Sequence, residues 1–195
     1  MTYTERFDEA LTWASELHRQ QSRKEKDVPY ITHLLGVASL VGAHGGDEDQ
    51  VIAALLHDAI EDCIGDVPDI EEQIENRFGD RVLHIVDGCT DAYEEPKPEF
   101  YERKENYLKN LRALPDDSPI YLVSLGDKVH NARAIVADLQ KVGDKLWRRF
   151  KGKREGSIWY YSSLADIFAA KEPGYLADEL ASAVAVMKQH GASTE

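Results

Sequence analysis

Four polar side chains follow the most apolar run of the sequence, in the segment ALLHDAIEDC. His57 and Asp58 are adjacent, and Glu61 and Asp62 come about one helical turn later. Three carboxylates this close repel one another, and burying them unpaired would cost several kcal/mol each. We therefore expect either positive charge among them, from a metal ion or an Arg or Lys side chain, or plain solvation by water.

The adjacent His–Asp pair favours a metal ion, because imidazole and carboxylate together suit Mn, Fe or Zn. On a continuous helix, which advances about 100° per residue, Glu61 would lie about 40° from His57. All four side chains would then share less than half of the helix circumference. This spacing predicts a metal site with further acids beside it.

Two residues elsewhere are candidates for the same site. His33 lies in the apolar helix start PYITHLLGVA, where a histidine needs a partner, and Asp127 lies in the apolar segment IYLVSLGDKVHNARAIV. An isolated carboxylate in such a segment is costly to bury, so Asp127 also requires a cation.

Helices must position these residues, because helical periodicity runs through nearly every segment. We predict an all-α fold of about eight to ten non-parallel helices, forming one domain over residues 1–195. Asp47 and Gln50 are expected to cap a helix that continues through VIAALLHDAIEDC. The segment TDAYEEPKPEF is expected to be a loop, and a C-terminal helix over 174–190 is expected to pack on the rest.

Composition narrows the function classes. The formal net charge of −13 argues against a nucleic-acid binder, since phosphate backbones require a basic face. No run approaches the roughly 20 apolar residues of a membrane span, and the N-terminal segment lacks the apolar block of a signal peptide. Two cysteines are too few for a disulfide framework, so we expect a cytoplasmic protein.

Four longer segments carry a family resemblance: HRQQSRKEKDVPYITHLLGVA, AALLHDAIEDC, ERKENYLKNL and LGDKVHNAR. Together they resemble the hydrolase domain of RelA/SpoT proteins, which belongs to the HD superfamily of metal-dependent phosphohydrolases. The resemblance covers roughly residues 5–170, in order, and the chain length is similar to that of the stand-alone small alarmone hydrolases.

The resemblance implies a metal-dependent hydrolase that removes the 3′-pyrophosphate of (p)ppGpp and releases GDP or GTP with pyrophosphate. It implies one Mn²⁺ per chain, with Zn²⁺ or Fe²⁺ as alternatives. The implied metal ligands are His33, His57, Asp58 and Asp127. Glu61 and Asp62 match the acidic pair that positions and activates the attacking water.

Substrate contacts are implied at four further positions. Arg23 and Lys24 match a pair beside the base and phosphates, Asn131 matches a nucleotide contact, and Tyr160 matches a tyrosine near the ribose and phosphates. The basic stretch Lys145–Arg154 could attract a polyphosphate or could simply be a solvated helix end.

Three departures from the family pattern leave the implied metal ligands unchanged, but they affect which substrate the resemblance implies. Leu34 replaces the usual Pro, Gly126 replaces the usual Ala, and the RKEKDVPY loop differs in length and composition. The nucleobase of the substrate is therefore not determined, and (p)ppApp, NADPH or a nucleoside monophosphate are alternative substrates. A non-catalytic binding module is a further alternative. We expect a small nucleotide as partner, neither nucleic acid nor membrane, and an oligomeric state compatible with a homodimer.

Overall fold

The computed structural model describes residues 2–23, 27–93 and 97–190. Within these ranges the regular structure is helical, apart from an isolated bridge between Ser22 and Pro29. The prediction of an all-α fold is therefore confirmed. None of the helices in the described part of the chain combines the length and apolar content that crossing a bilayer requires.

Ten α-helices and one 3₁₀ helix are found within the described ranges. Their bounds are α1 Glu5–Leu17, α2 Ile31–Ala43, α3 Glu48–Leu56, α4 Ala59–Cys63, α5 Ile70–Phe78, α6 Asp80–Cys89, α7 Phe100–Ala113, α8 Ile120–Val142, the 3₁₀ helix Gly143–Arg149, α9 Lys153–Lys171 and α10 Tyr175–Gln189.

The chain divides into two compact units. The first comprises Met1–Pro98 with Asp117–Gly126, and the second comprises Glu99–Asp116 with Asp127–Glu195. The boundary falls within α8, so the prediction of one domain over residues 1–195 stays a prediction.

Helix α3 is the buried element of the first unit, and it packs against α1, α2 and α6. Its start confirms the predicted cap: the Gln50 N–H donates to Asp47 Oδ1 at 3.0 Å, and the Asp47 N–H donates to Gln50 Oε1 at 3.1 Å. Every residue from Val51 to Leu56 is buried, so the helix needs apolar side chains on all faces. The helix ends at Leu56, directly before His57.

In the second unit, helix α9 packs against α7, α10 and the 3₁₀ helix. The predicted C-terminal helix is found as Tyr175–Gln189 and packs on α9. Within the basic stretch, Arg149 pairs with Asp138, and Arg154 donates to the carbonyl oxygens of Lys188 and His190. The exposed cations of the stretch are Lys145, Arg148, Lys151 and Lys153.

Candidate metal centre

Two histidines converge on one carboxylate oxygen in the first unit. His57 Nε2 lies 3.0 Å from Asp58 Oδ2, and His33 Nε2 lies 3.5 Å from the same oxygen. Among the described residues, these three form a group whose ligand atoms all lie within 4.8 Å of one another. Both imidazoles are buried. Two imidazole nitrogens and a carboxylate oxygen are a donor set for a divalent transition metal.

The His57–Asp58 pair lies in a turn between two helices. Helix α3 ends at Leu56 and α4 begins at Ala59, and Asp58 has φ −99° and ψ 0°. The prediction of one continuous helix through this segment is wrong, and with it the angles derived from the regular 100° advance. Because regular helix is interrupted at His57 and Asp58, the positions of the acids on α4 relative to His57 do not follow from the geometry of one continuous helix.

Neighbouring groups fix the orientation of the candidate ligands. His57 Nδ1 lies 2.8 Å from the Ala54 carbonyl oxygen, which can only accept, so Nδ1 carries the proton and Nε2 keeps its lone pair. The Tyr30 hydroxyl donates to Asp58 Oδ2 at 2.6 Å. Both hydrogen bonds orient the candidate ligands, and the one that His57 donates to Ala54 also raises the basicity of its Nε2.

The acid pair Glu61 and Asp62 lies on α4, with 18% and 21% of the side-chain surface exposed. Lys97 Nζ is 2.7 Å from Glu61 Oε1 and 3.3 Å from Asp62 Oδ1. Gln21 Nε2 donates to Asp62 Oδ2 at 2.8 Å. Both acids are therefore held by side chains from distant parts of the sequence.

Burial, with the charges of Asp91 and Asp58, raises the pKa of Glu61 to about 7, against the opposing effect of Lys97. The carboxyl consequently changes its protonation state near neutral pH, which suits a group that accepts a proton during a reaction.

Asp127 belongs to the second unit, where it is buried on α8. Its carboxylate accepts from Lys128 Nζ at 2.7 Å and from Asn131 Nδ2 at 2.5 Å. Burial alone would lower the pKa of the Lys128 ammonium, but the charge of Asp127 holds it well above its usual value. The cation that a buried Asp127 was expected to require is thus supplied in part by Lys128. Its role as a metal ligand stays a prediction.

The predicted substrate contacts fall in both units. In the first, the Arg23 guanidinium lies over the Tyr30 ring, 5.6 Å from the centroid, and Lys24 lies outside the described residues. In the second, Asn131 holds Asp127, and buried Tyr160 has Lys104 Nζ 4.6 Å from its ring centroid. Their contacts with a nucleotide stay predictions.

Sequence reasoning did not assign four residues that contact the candidate site residues: Gln21, Tyr30, Lys97 and Lys128. Tyr30 lies three residues before His33, and Lys128 follows Asp127, so both were within reach of a local argument. Lys97 and Gln21 lie about 35 and 40 residues from the acids in sequence, and no periodicity relates them to α4.

Comparison with known proteins extends these observations. The family model described as "HD domain" matches residues 10–158. The guanosine-3′,5′-bis(diphosphate) 3′-pyrophosphohydrolase MESH1 of Xenopus tropicalis is 37% identical over 142 residues, which cover 71% of this chain and 72% of that protein. A guanosine-3′,5′-bis(diphosphate) 3′-pyrophosphohydrolase of Aquifex aeolicus is 36% identical over 134 residues, which cover 68% of this chain. The match covers 18% of the Aquifex protein, so the chain spans under a fifth of that relative.

A solved structure shares the fold. It is that of a metazoan ortholog of SpoT, described as hydrolysing ppGpp and playing a role in starvation responses. The two chains are 27% identical, with a TM-score of 0.75 and 98% coverage of each. The family match spans most of the sequence and includes His33, His57, Asp58 and Asp127. On these grounds, the chain belongs to the HD-domain family.

Proposed function

We propose that this chain is a metal-dependent hydrolase that removes the 3′-pyrophosphate of (p)ppGpp-like alarmones and releases GDP or GTP with pyrophosphate. The observation that carries the proposal is the convergence of His33 and His57 on Asp58, with Glu61 and Asp62 on the helix that follows. The substrate class is supported by the names of the Xenopus and metazoan relatives, both of which refer to ppGpp or its hydrolysis.

His33, His57, Asp58 and Asp127 are the residues that would hold one divalent ion. The donor set fits, because two buried imidazole nitrogens face one carboxylate oxygen and the His57 proton points away toward Ala54. Mn²⁺ is proposed from the family resemblance, and the same donors accept Zn²⁺ or Fe²⁺. When bound, such an ion neutralises charge on phosphoryl oxygens and makes a water molecule more acidic.

Glu61 is the proposed general base. A water oxygen forms the new bond to phosphorus, the bond from phosphorus to the 3′-oxygen breaks, and the proton of the water passes to the Glu61 carboxylate. The departing 3′-oxygen takes up a proton from solvent and becomes the 3′-hydroxyl of GDP or GTP. In the metal-free protein, it is chiefly burial that raises the pKa of Glu61 to about 7, and a base with a pKa near the working pH can both accept and release the proton. Asp62, held at both oxygens by Gln21 and Lys97, orients the water.

Arg23, Lys24, Asn131 and Tyr160 are the proposed nucleotide contacts. Among these four residues, Arg23 has the strongest structural support, because its guanidinium lies over an aromatic ring and the residue is half-buried. A planar cation in that setting can stack on a purine. We also propose a cytoplasmic location and an oligomeric state compatible with a homodimer.

The product assay separates this function from its alternatives. Purified chain is incubated with Mn²⁺ and, in parallel, with ppGpp, ppApp, NADPH and nucleoside monophosphates, and the products are resolved by ion-exchange chromatography. GDP with pyrophosphate from ppGpp supports the proposal. Orthophosphate as the main product would indicate a phosphatase. A preference for ppApp or NADPH would change the proposed nucleobase or substrate class. No turnover of any substrate in the panel would favour a binding module.

A further inference from the structure

A chain of three side-chain contacts leads from the core of the first unit to Asp62. Gln21 Nε2 donates to Asp62 Oδ2 at 2.8 Å, and Gln21 Oε1 lies 2.5 Å from His18 Nδ1. On the other side of the imidazole, His18 Nε2 lies 3.9 Å from Cys63 Sγ. His18 is only 2% exposed, so this is a buried histidine that the proposed reaction does not otherwise use.

Local backbone structure fixes the two middle members of this chain. His18 follows the last turn of α1, and its carbonyl oxygen accepts from the Gln21 N–H at 3.1 Å, which closes a turn. The Gln21 carbonyl oxygen in turn accepts from the Tyr30 N–H at 2.9 Å. The Tyr30 ring stacks on the His18 ring with centroids 5.2 Å apart. The backbone of both residues is therefore held by hydrogen bonds, and the His18 ring is held by its contact with Tyr30.

The order of donors and acceptors along this chain follows from chemistry alone. An ionised Asp62 can only accept, so the atom of Gln21 that faces it must be the amide nitrogen. The opposite amide oxygen then faces His18 Nδ1, which must carry a proton. The remaining nitrogen, Nε2, is left as an acceptor facing Cys63, whose thiol stays protonated because burial and the nearby acids raise its pKa to about 12.

We infer that Gln21 and His18 are positioning residues for Asp62, linked to it by a hydrogen-bond chain that requires the Nδ1–H tautomer of His18. The inference rests on the proposed function, in which Asp62 orients the attacking water. Gln21 holds Asp62 Oδ2 while Lys97 contacts Oδ1, so the carboxylate is fixed in rotation as well as in place. A water oriented by a fixed carboxylate attacks along one direction, and loss of such orientation slows the chemical step more than it weakens binding.

The tautomer is the first test, and it needs neither metal nor substrate. Long-range ¹H–¹⁵N correlation spectra of the metal-free protein at pH 8 report which nitrogen of His18 is protonated, with His18→Asn used to assign the signal. We expect Nδ1–H in the wild type. An Nε2–H tautomer of His18 in the wild type would overturn the inference.

Kinetics of Gln21→Glu are the second test. The variant keeps the size of the side chain and an acceptor for His18, but it places a carboxylate opposite Asp62 where the donor was. We expect kcat to fall about 10–100-fold, the usual cost of losing a side chain that orients a site residue, with KM within about threefold of the wild type. The matched control is Gln20→Glu, which makes the same substitution at the neighbouring exposed residue and should leave kcat unchanged.

A double-mutant cycle shows whether Gln21 acts through Asp62. In an Asp62→Ala background, Gln21→Glu should lower kcat by less than about twofold further, because the group it positions is already absent. Losses that multiply fully would overturn the inference, as would a Gln21→Glu variant with wild-type kcat. If the wild type fails to hydrolyse alarmones while His18 is Nδ1–H, the hydrogen-bond chain stands and the proposed function falls.

Discussion

Lys97 Nζ lies 2.7 Å from Glu61 Oε1 and forms an ion pair across 36 positions of sequence. Even with this cation adjacent, burial and the charges of Asp91 and Asp58 raise the pKa of Glu61 to about 7. The pair therefore holds a carboxyl group whose ionised form is disfavoured by its surroundings. Such perturbed groups are concentrated at functional sites.

The stability of the metal-free protein should reveal the raised pKa of Glu61. In the unfolded chain this carboxyl has its ordinary pKa near 4.5, and in the folded chain about 7. Its ionisation therefore costs the folded state free energy, and its contribution to stability falls as pH rises from 4.5 to 7. Glu61→Gln mimics the protonated acid, so we expect the variant to be more stable than wild type at pH 8, by up to about 3 kcal/mol.

Urea unfolding of chelator-treated protein at pH 5 and pH 8 measures this difference, which should shrink toward pH 5. Glu72→Gln, at an exposed position on α5, is the matched control and should show no such dependence. Equal stability differences for Glu61→Gln at both pH values would mean that the carboxyl titrates normally.

Lys97→Met should destabilise the metal-free protein more at pH 8 than at pH 5. Removing the ammonium removes the charge that lowers the pKa of Glu61, so the ionised carboxylate becomes still more costly to bury. Lys97→Arg keeps the charge and should show a smaller change with pH. The same urea unfolding series provides the measurement. A loss of unfolding free energy in Lys97→Met that is equal at both pH values would mean that Lys97 stabilises the protein by packing and not by its charge.

Local signals account for the parts of the fold that could be predicted from sequence. The Asp47–Gln50 cap depends on two residues three positions apart. The break at His57 and Asp58 could not be predicted, because the apolar pattern continues on both sides and neither Gly nor Pro interrupts it. Residues on both sides of the break are buried, so neither burial nor the apolar pattern marks the end of α3.

The candidate site divides in the same way. His33, His57 and Asp58 could be named because histidine and carboxylate are unusual in apolar helical segments. Lys97 could not, since it comes from an irregular segment rich in acids and prolines, where residue type gives no indication of a distant partner. Gln21 was missed because an amide in a polar turn is ordinary, and its contact with Asp62 exists only in the folded chain.

Metal content should depend on the proposed ligands His57 and Asp127. Protein purified without chelator is expected to carry about one transition-metal ion per chain, and His57→Ala and Asp127→Ala should each reduce this to near zero. His84→Ala, at an exposed position on α6, should retain the ion. Inductively coupled plasma mass spectrometry gives the stoichiometry, and an undiminished ion in His57→Ala would place the metal elsewhere.

Arg23→Ala should raise KM for the best substrate with little change in kcat. A stacked guanidinium binds the ground state and the transition state about equally, so its loss weakens binding by about 1–3 kcal/mol without slowing the chemical step. Arg19→Ala, at an exposed position just after α1, is the control. An unchanged KM in steady-state kinetics of Arg23→Ala would mean that Arg23 does not contact the substrate and only packs over the Tyr30 ring.

The most direct test of Glu61 as the general base measures metal content and kcat on the same preparation of Glu61→Gln. The variant keeps the shape of the side chain and its acceptor for Lys97, but it cannot take a proton. We predict that it retains the ion at the wild-type level, while kcat for alarmone hydrolysis falls by about 10²–10⁴-fold, the usual cost of losing a general base. An empty site in Glu61→Gln would make Glu61 a ligand, and full activity with a full site would contradict its proposed part in the reaction.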